Sequence, residues 1–288
     1  MCPAPSSDDE RSALCEDAPV TRPAHFTQLD QDRFQPTRFA QSHWGADHLN
    51  GPAVVGLAAR ALETQFGLPE LMPARLTVDL FRAAKGVPTE TVTRLVRDGR
   101  RVRNAECEIV QGGVTVARAT LVQYRRGAPP RGEEWTAAMD FEPPADLDQG
   151  RPINIGSDGV GWSHAIVDHQ NAARKRTVNR TADVVEGTDN TPFVRAAMVA
   201  EGTSLVTNLG TAGVGYINGD LTVALARLPV DDWVGVQADA HWADDGVAVG
   251  TATLFDHLGA FGTGVVTAIG NPGAQIDFSD DPFPSRTH

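Results

Sequence analysis

Two periodicities of apolar residues organise the chain. Between Asn50 and Phe66 the residues Val54, Leu57, Ala58, Ala61, Leu62 and Phe66 recur at helical spacing. Asn50 is a good helix cap, and Pro52 suits the first turn because its missing N–H costs nothing there. Gly67 follows the last apolar position, where helices commonly stop. The period then drops to two. Residues 74–83, 89–99, 101–113 and 114–125 each alternate and predict strands. A charged turn at Arg97–Arg100 and a Gly112–Gly113 pair separate them, and Gly-Gly between alternating runs is a hairpin signal. One helix followed by several long antiparallel strands predicts a sheet wrapped round a helix.

The second half repeats this order. Residues 161–167 and 175–185 read as extended. A helix is predicted from about Pro192, with Asn190 or Thr191 as its cap. Four strands follow, over 216–229, 231–243, 246–259 and 260–270. The pattern divides the chain into a disordered tail over 1–24, a first domain over 25–126, a Pro-rich linker over 127–150, a second domain over 151–271 and a loosely ordered tail over 272–288. A lone unit would leave a sheet edge exposed, and pairing two units covers it. The fold class is therefore α+β with two tandem units. A Rossmann or barrel fold would alternate strands with helices instead.

Composition removes several classes of function. The net charge of −12 repels nucleic acid and anionic lipid, so neither is an expected partner. No apolar run approaches the roughly 18 residues of a membrane span, and the acidic N-terminus is unlike a signal peptide. Cys2, Cys15 and Cys107 form neither a disulfide framework nor a zinc pattern, which fits a reducing cytoplasm. Cys107 reads as buried filler in a strand. His164, His169, His241 and His257 lack ligand spacing, so no metal is expected. The adjacent pairs Ser42-His43 and Ser163-His164 lack the turn context of a serine nucleophile. No Gly-rich phosphate loop follows a strand.

The segments His48–Pro52, Arg75–Phe81, Arg97–Arg100 with Gln111-Gly112, Tyr216–Thr222 and Asp232-Trp233 resemble, in order, the thioesterase-like superfamily with two hotdog domains, related to type II acyl-CoA thioesterases. The resemblance runs from Trp44 to Tyr124 and from about Lys175 to Gly264. It implies a double hotdog, each unit a long antiparallel sheet round a central helix. It also implies hydrolysis of an acyl-CoA or related thioester, with coenzyme A as part of the substrate and no other cofactor, a place in lipid metabolism, and further assembly as a homo-oligomer.

Thioester hydrolysis needs donors for the developing oxyanion, an acceptor for a water proton and an apolar slot. The Asn50-Gly51 turn at a helix N-terminus supplies candidate donors, with Gly51 letting a substrate approach the backbone. In the resembled enzymes a helical aspartate, a Ser/Thr and a Gln hold the attacking water. Carried over, these positions fall on Glu201, on Asn218, and on Val266 or Thr267, none identical to the family pattern. The catalytic expectation is Glu201, Asn218 and Thr267. The substrate-binding expectation is His48, Asn50, Gly51, Asp220 and Thr222. Structural readings stand beside these: Glu201 as a helix-surface acid, Asp220 as a backbone tie at the junction of the halves, and His48 packed on Trp44. Glu63 reads as a second-site acid or, by default, as a surface or structural one, and Arg97, Arg100 and Arg101 as binders of coenzyme A phosphates or, by default, as a charged hairpin turn. A non-catalytic acyl or acyl-CoA binding protein on the same fold accounts for all three departures. Enoyl-thioester hydration ranks last, because the Asp and His pair of a hydratase segment is missing.

Overall fold

The computed structural model describes residues 22–137, 140–145, 147 and 153–279. The tail over residues 1–21 lies outside them. Helix α1 spans Gly51–Phe66, as its periodicity predicts, with Asn50 as cap and Gly67 at its end. Its Ala53, Val54, Val55, Leu57, Ala58, Ala59 and Leu62 are buried. Burying each of the larger aliphatic side chains contributes roughly 1.5–3 kcal/mol, which holds the helix against the sheet.

Fourteen strands follow one another across a single sheet. From one end come Val160–Ser163, Ile153–Ser157, Lys175–Arg180, Trp233–Asp244, Val247–Asp256, Gly259–Gly270 and Asp220–Leu225. Next come Leu71–Leu80, Val114–Arg125, Val102–Gln111, Thr89–Asp98, Arg33–Pro36 and Ala24–Asp30, with Asp183–Val185 last. Tyr216–Asn218 pairs with the far end of Gly259–Gly270. The halves join where Asp220–Leu225 lies antiparallel to Leu71–Leu80, with Thr222 opposite Thr77 and Asp220 opposite Asp79. Each unit thus covers the edge of the other, and the architecture is the double hotdog.

The closure of the sheet is not visible in the periodicity. Lys175–Arg180 and Asp183–Val185 are separated by two residues, yet the first is third from one end of the strand order and the second is last at the other end. Asp183–Val185 runs parallel to Ala24–Asp30 of the first half. The chain therefore ties the two sheet ends together, and the sheet curls round the helices. Alternation is weak in Ala24–Asp30 and Arg33–Pro36, so the sequence reading passed over both strands.

Helix α2 spans Pro192–Ala200 and is capped by the Thr191 hydroxyl, which accepts from the Val194 amide. The helical run stops at Glu201 and resumes as α3, Gly202–Asn208. Helix α1 packs on α2 where a side chain on Gly56 would collide with Met198 and Val184. A glycine there is what allows the close approach.

Two expectations need correction. Only the start of residues 161–167 is extended, because the Ala165 amide bonds the Ser163 hydroxyl and turns the chain into a short 3-10 segment, Ile166–His169. The tail after Gly270 is anchored over its described part. Ile276 exchanges backbone hydrogen bonds with Val214, and Ile276 and Phe278 join an apolar cluster with Ile155, Leu209 and Trp44. Of the tail, residues 280–288 lie outside the described residues. The described linker residues form no helix or strand, but Phe141 stacks on Phe255 at 4.5 Å and its neighbour's carbonyl, on Asp140, accepts from Gln237.

Candidate active site

The end of α2 meets the start of α1. Glu201 keeps helical dihedrals (φ −63°, ψ −25°) at the joint between α2 and α3. Its carboxylate presses on Gly51, the first residue of α1. A methyl group added at Gly51 would overlap that carboxylate, so only glycine leaves room for it. The positive end of the α1 dipole favours an anion at this place.

Asn218 reaches the same carboxylate from the sheet. Its Nδ2 donates to Glu201 Oε1 at 3.4 Å and to the Asp220 carbonyl at 3.2 Å. Gly219 interrupts the strands here, so Asn218 faces inward although the next strand begins at Asp220. Burial pushes Glu201 up from the ordinary carboxylate range to about 7, against the opposing effect of the Asn218 amide. A carboxylic acid balanced near neutrality, beside a helix N-terminus, can exchange a proton with water and assist a reaction that develops negative charge.

The first turn of α1 has few donors left. Asn50 Oδ1 accepts from the Ala53 amide at 2.9 Å, the Val54 amide bonds the Asn50 carbonyl, and Pro52 has no N–H. The Gly51 amide is the first-turn donor with no partner among the described residues. Asn50 itself is absorbed by the fold, because its Nδ2 donates to the carbonyls of Phe39 and Gln41.

The structure therefore brings Gly51, Glu201 and Asn218 together and separates the other expected residues from them. Val266 is fully buried in the core, so strand alternation turns Thr267 to the opposite face. There Thr267 donates its hydroxyl and its amide to the Asp220 carboxylate. Leu221 and Val223 face the core, which likewise leaves Asp220 and Thr222 on the outer face. Thr222 bonds Thr77 across the seam at 3.0 Å. Asp220, Thr222 and Thr267 thus brace the junction of the halves, and the inward position of the strand holds an aliphatic side chain. His48 lies over Gly45 in a hairpin strand and bridges to Lys85.

Ser204 was missed. It sits one turn beyond Glu201 and donates to Asn218 Oδ1 at 3.1 Å, while Asn208 Nδ2 lies 3.5 Å from its oxygen. The spacing Glu201, Ser204, Asn208 is a polar stripe at helical period, and that signal was available in the sequence. The remaining candidates have structural roles. Burial pushes the Cys107 thiol up to about 12, which leaves it unreactive. Ser163 bonds the fully buried His169, not His164. Among the described residues no group of three or more His, Cys, Asp or Glu is placed to hold a metal ion, and no helix is long and apolar enough to cross a membrane.

Comparison with known proteins follows the same division of the chain. Residues 40–124 match the model of the acyl-CoA thioesterase N-terminal domain, and residues 126–268 match that of the C-terminal domain. A protein from Thermobifida fusca, assigned as a thioesterase II, superimposes with a TM-score of 0.66 at 17% identity, over 88% of this chain and 99% of its own. The tesB protein of Mycobacterium avium subs paratuberculosis gives 0.62 at 16% identity, over 86% and 96%. A hot dog fold protein from Alicyclobacillus acidocaldarius gives 0.59 at 16% identity, over 85% and 95%. At these identities the structural likeness is one of fold. A search among curated proteins finds no match.

Proposed function

The chain belongs to the acyl-CoA thioesterase family of double-hotdog proteins, and from that premise we propose that it hydrolyses an acyl-CoA-type thioester with Glu201 as general base. One observation carries the reading: the Glu201 carboxylate, within reach of the Asn218 amide, lies against the N-terminus of α1.

In the proposed reaction Glu201 takes a proton from water as the water oxygen bonds to the thioester carbonyl carbon. The carbonyl oxygen becomes an oxyanion, stabilised by the Gly51 amide and the α1 dipole. When the tetrahedral intermediate collapses, the carbon–sulfur bond breaks and the proton on Glu201 passes to the departing sulfur. The products are a carboxylic acid and a thiol, and Glu201 returns to its starting form. Coenzyme A enters only as part of the substrate, and no metal or other cofactor takes part. The composition supports a cytoplasmic setting.

Thiol release from acyl-CoAs of short, long and aromatic chains tests this, with Glu201→Ala beside the parent. Turnover that disappears in the variant supports the reading, and full turnover in the variant refutes it. The inward Val266 favours a second reading, a non-catalytic acyl-CoA binder, since the third polar group of the family pattern is missing from the site. Tight acyl-CoA binding by the folded parent without thiol release would select that reading.

A further inference from the structure

We propose that Ser204 is a positioning residue of this site: its hydroxyl orients the Asn218 amide so that the NH2 group, and not the carbonyl oxygen, faces Glu201. The proposal rests on the reading of Glu201 as the general base. An amide side chain has nearly the same shape either way round, so its neighbours decide which end points where. Here three contacts agree. Ser204 Oγ lies 3.1 Å from Asn218 Oδ1, and the Asp220 carbonyl and Glu201 Oε1 both lie on the Nδ2 side. Reversing the amide would set its oxygen against two acceptors.

The direction of the serine proton is itself constrained. Asn208 Nδ2 approaches the Ser204 oxygen as a donor, which leaves the hydroxyl hydrogen for Asn218. Asn208, Ser204, Asn218 and Glu201 thus form one directed chain that ends on the carboxylate. Ser204 and Asn208 are both buried, so water competes poorly for these groups. Asn218 is the side chain that bonds the Glu201 carboxyl among the described residues, and the neighbouring Asp220 carboxylate is engaged by Thr267 on the outer face. A donor held on Oε1 favours the ionised form of Glu201, which is the form a general base requires, and leaves Oε2 for water.

The test uses the full-length protein and the variants Ser204→Ala and Ser204→Thr. The carboxyl carbon of Glu201, observed by 13C NMR, is titrated in each, a readout that needs no turnover. The expected result is a midpoint near 7 in the parent, a higher midpoint in Ser204→Ala, and a return toward the parent in Ser204→Thr. Equal midpoints in all three overturn the proposal, whatever the activity. In hydrolysis assays the expectation for Ser204→Ala is about tenfold lower kcat at pH 7 with KM unchanged, and an acid limb displaced to higher pH. A loss of rate with no displacement of that limb also overturns it. Should Ser204→Ala fail to fold, Ser204→Cys, nearly isosteric with a weaker donor, serves the same titration. If Glu201→Ala keeps full thioesterase activity, the base assignment fails while the NMR result still reports on Ser204.

Discussion

The two central helices each end on a carboxylate that meets the other helix's N-terminus, and the two junctions are finished differently. At one, Glu63 of α1 accepts from the Thr191 hydroxyl at 2.5 Å, and that hydroxyl also caps α2 through the Val194 amide. At the other, Glu201 meets Gly51, which has no side chain to bond it, and accepts from Asn218 at 3.4 Å. Burial raises both acids from the ordinary value of a glutamate. The Thr191 hydroxyl opposes the rise at Glu63 and ties the acid into the fold. Glu201 keeps acceptor capacity unused beside a helix N-terminus. The same architecture thus yields a structural clamp at one end and a site suited to proton transfer at the other. The difference lies in the turn that starts each helix, Thr191-Pro192 against Asn50-Gly51-Pro52.

The largest expected effect separates the two acids directly. Replacing Glu201 with Gln is expected to lower thioester hydrolysis by about 100- to 10,000-fold, the range for losing a general base. Glu63→Gln is expected to stay within about threefold of the parent in the same thiol-release assay. Equal losses in both would break the distinction.

Gly51→Ala comes next. The new methyl overlaps the Glu201 carboxylate and must displace it, and a misplacement of about 1 Å can cost ~100-fold in rate. The expected outcome is a kcat reduced by about that factor in a protein whose circular dichroism is unchanged. Retention of full activity would show that the contact with α1 is dispensable.

The pH dependence of stability is a third comparison. The folded value of Glu201 lies above its unfolded value of 4.5, so the folded state holds the proton more tightly. Its contribution to stability is complete below about 4.5 and is lost as pH rises through about 7. That rise corresponds to roughly 3 kcal/mol as an upper bound. Glu201→Gln should flatten this part of the profile and make the protein relatively more stable at pH 8. Urea unfolding of parent and variant between pH 5 and pH 8 measures it, and parallel profiles would contradict the assignment. The smallest effect belongs to the clamp. Thr191→Ala removes a helix cap and should cost about 1 kcal/mol in the same unfolding experiment, with hydrolysis little changed.

Much of this molecule is legible locally. The α1 boundaries follow from Asn50, Pro52 and Gly67, and the long strands follow from their alternation. Glu201 and Asn218 were named from family positions and Gly51 from the donors of a helix N-terminus, and the fold brings the three together. Thr267 was one of two choices for a family position, with Asp220 and Thr222 named beside Asn218 on the strand, and the fold turns all three outward. For Thr267 the cause is simple: in a strand, a one-residue choice of register exchanges the buried face for the outer one. Val266 and Thr267 differ by that one step.

By itself the sequence determined where the helices begin, where the hairpins turn, that the pattern occurs twice and which residue types were available for proton transfer. These depend on short-range periodicity and capping, which act over a few residues. Tertiary structure alone decided that the sheet closes through the segment from Lys175 to Val185, that Glu201 lies on Gly51, that Ser204 stands behind Asn218, and which face Thr267 takes. Those outcomes depend on contacts between residues far apart in the chain, such as Glu201 and Gly51, and on burial, which moves a carboxylate toward neutrality only after the chain has folded round it.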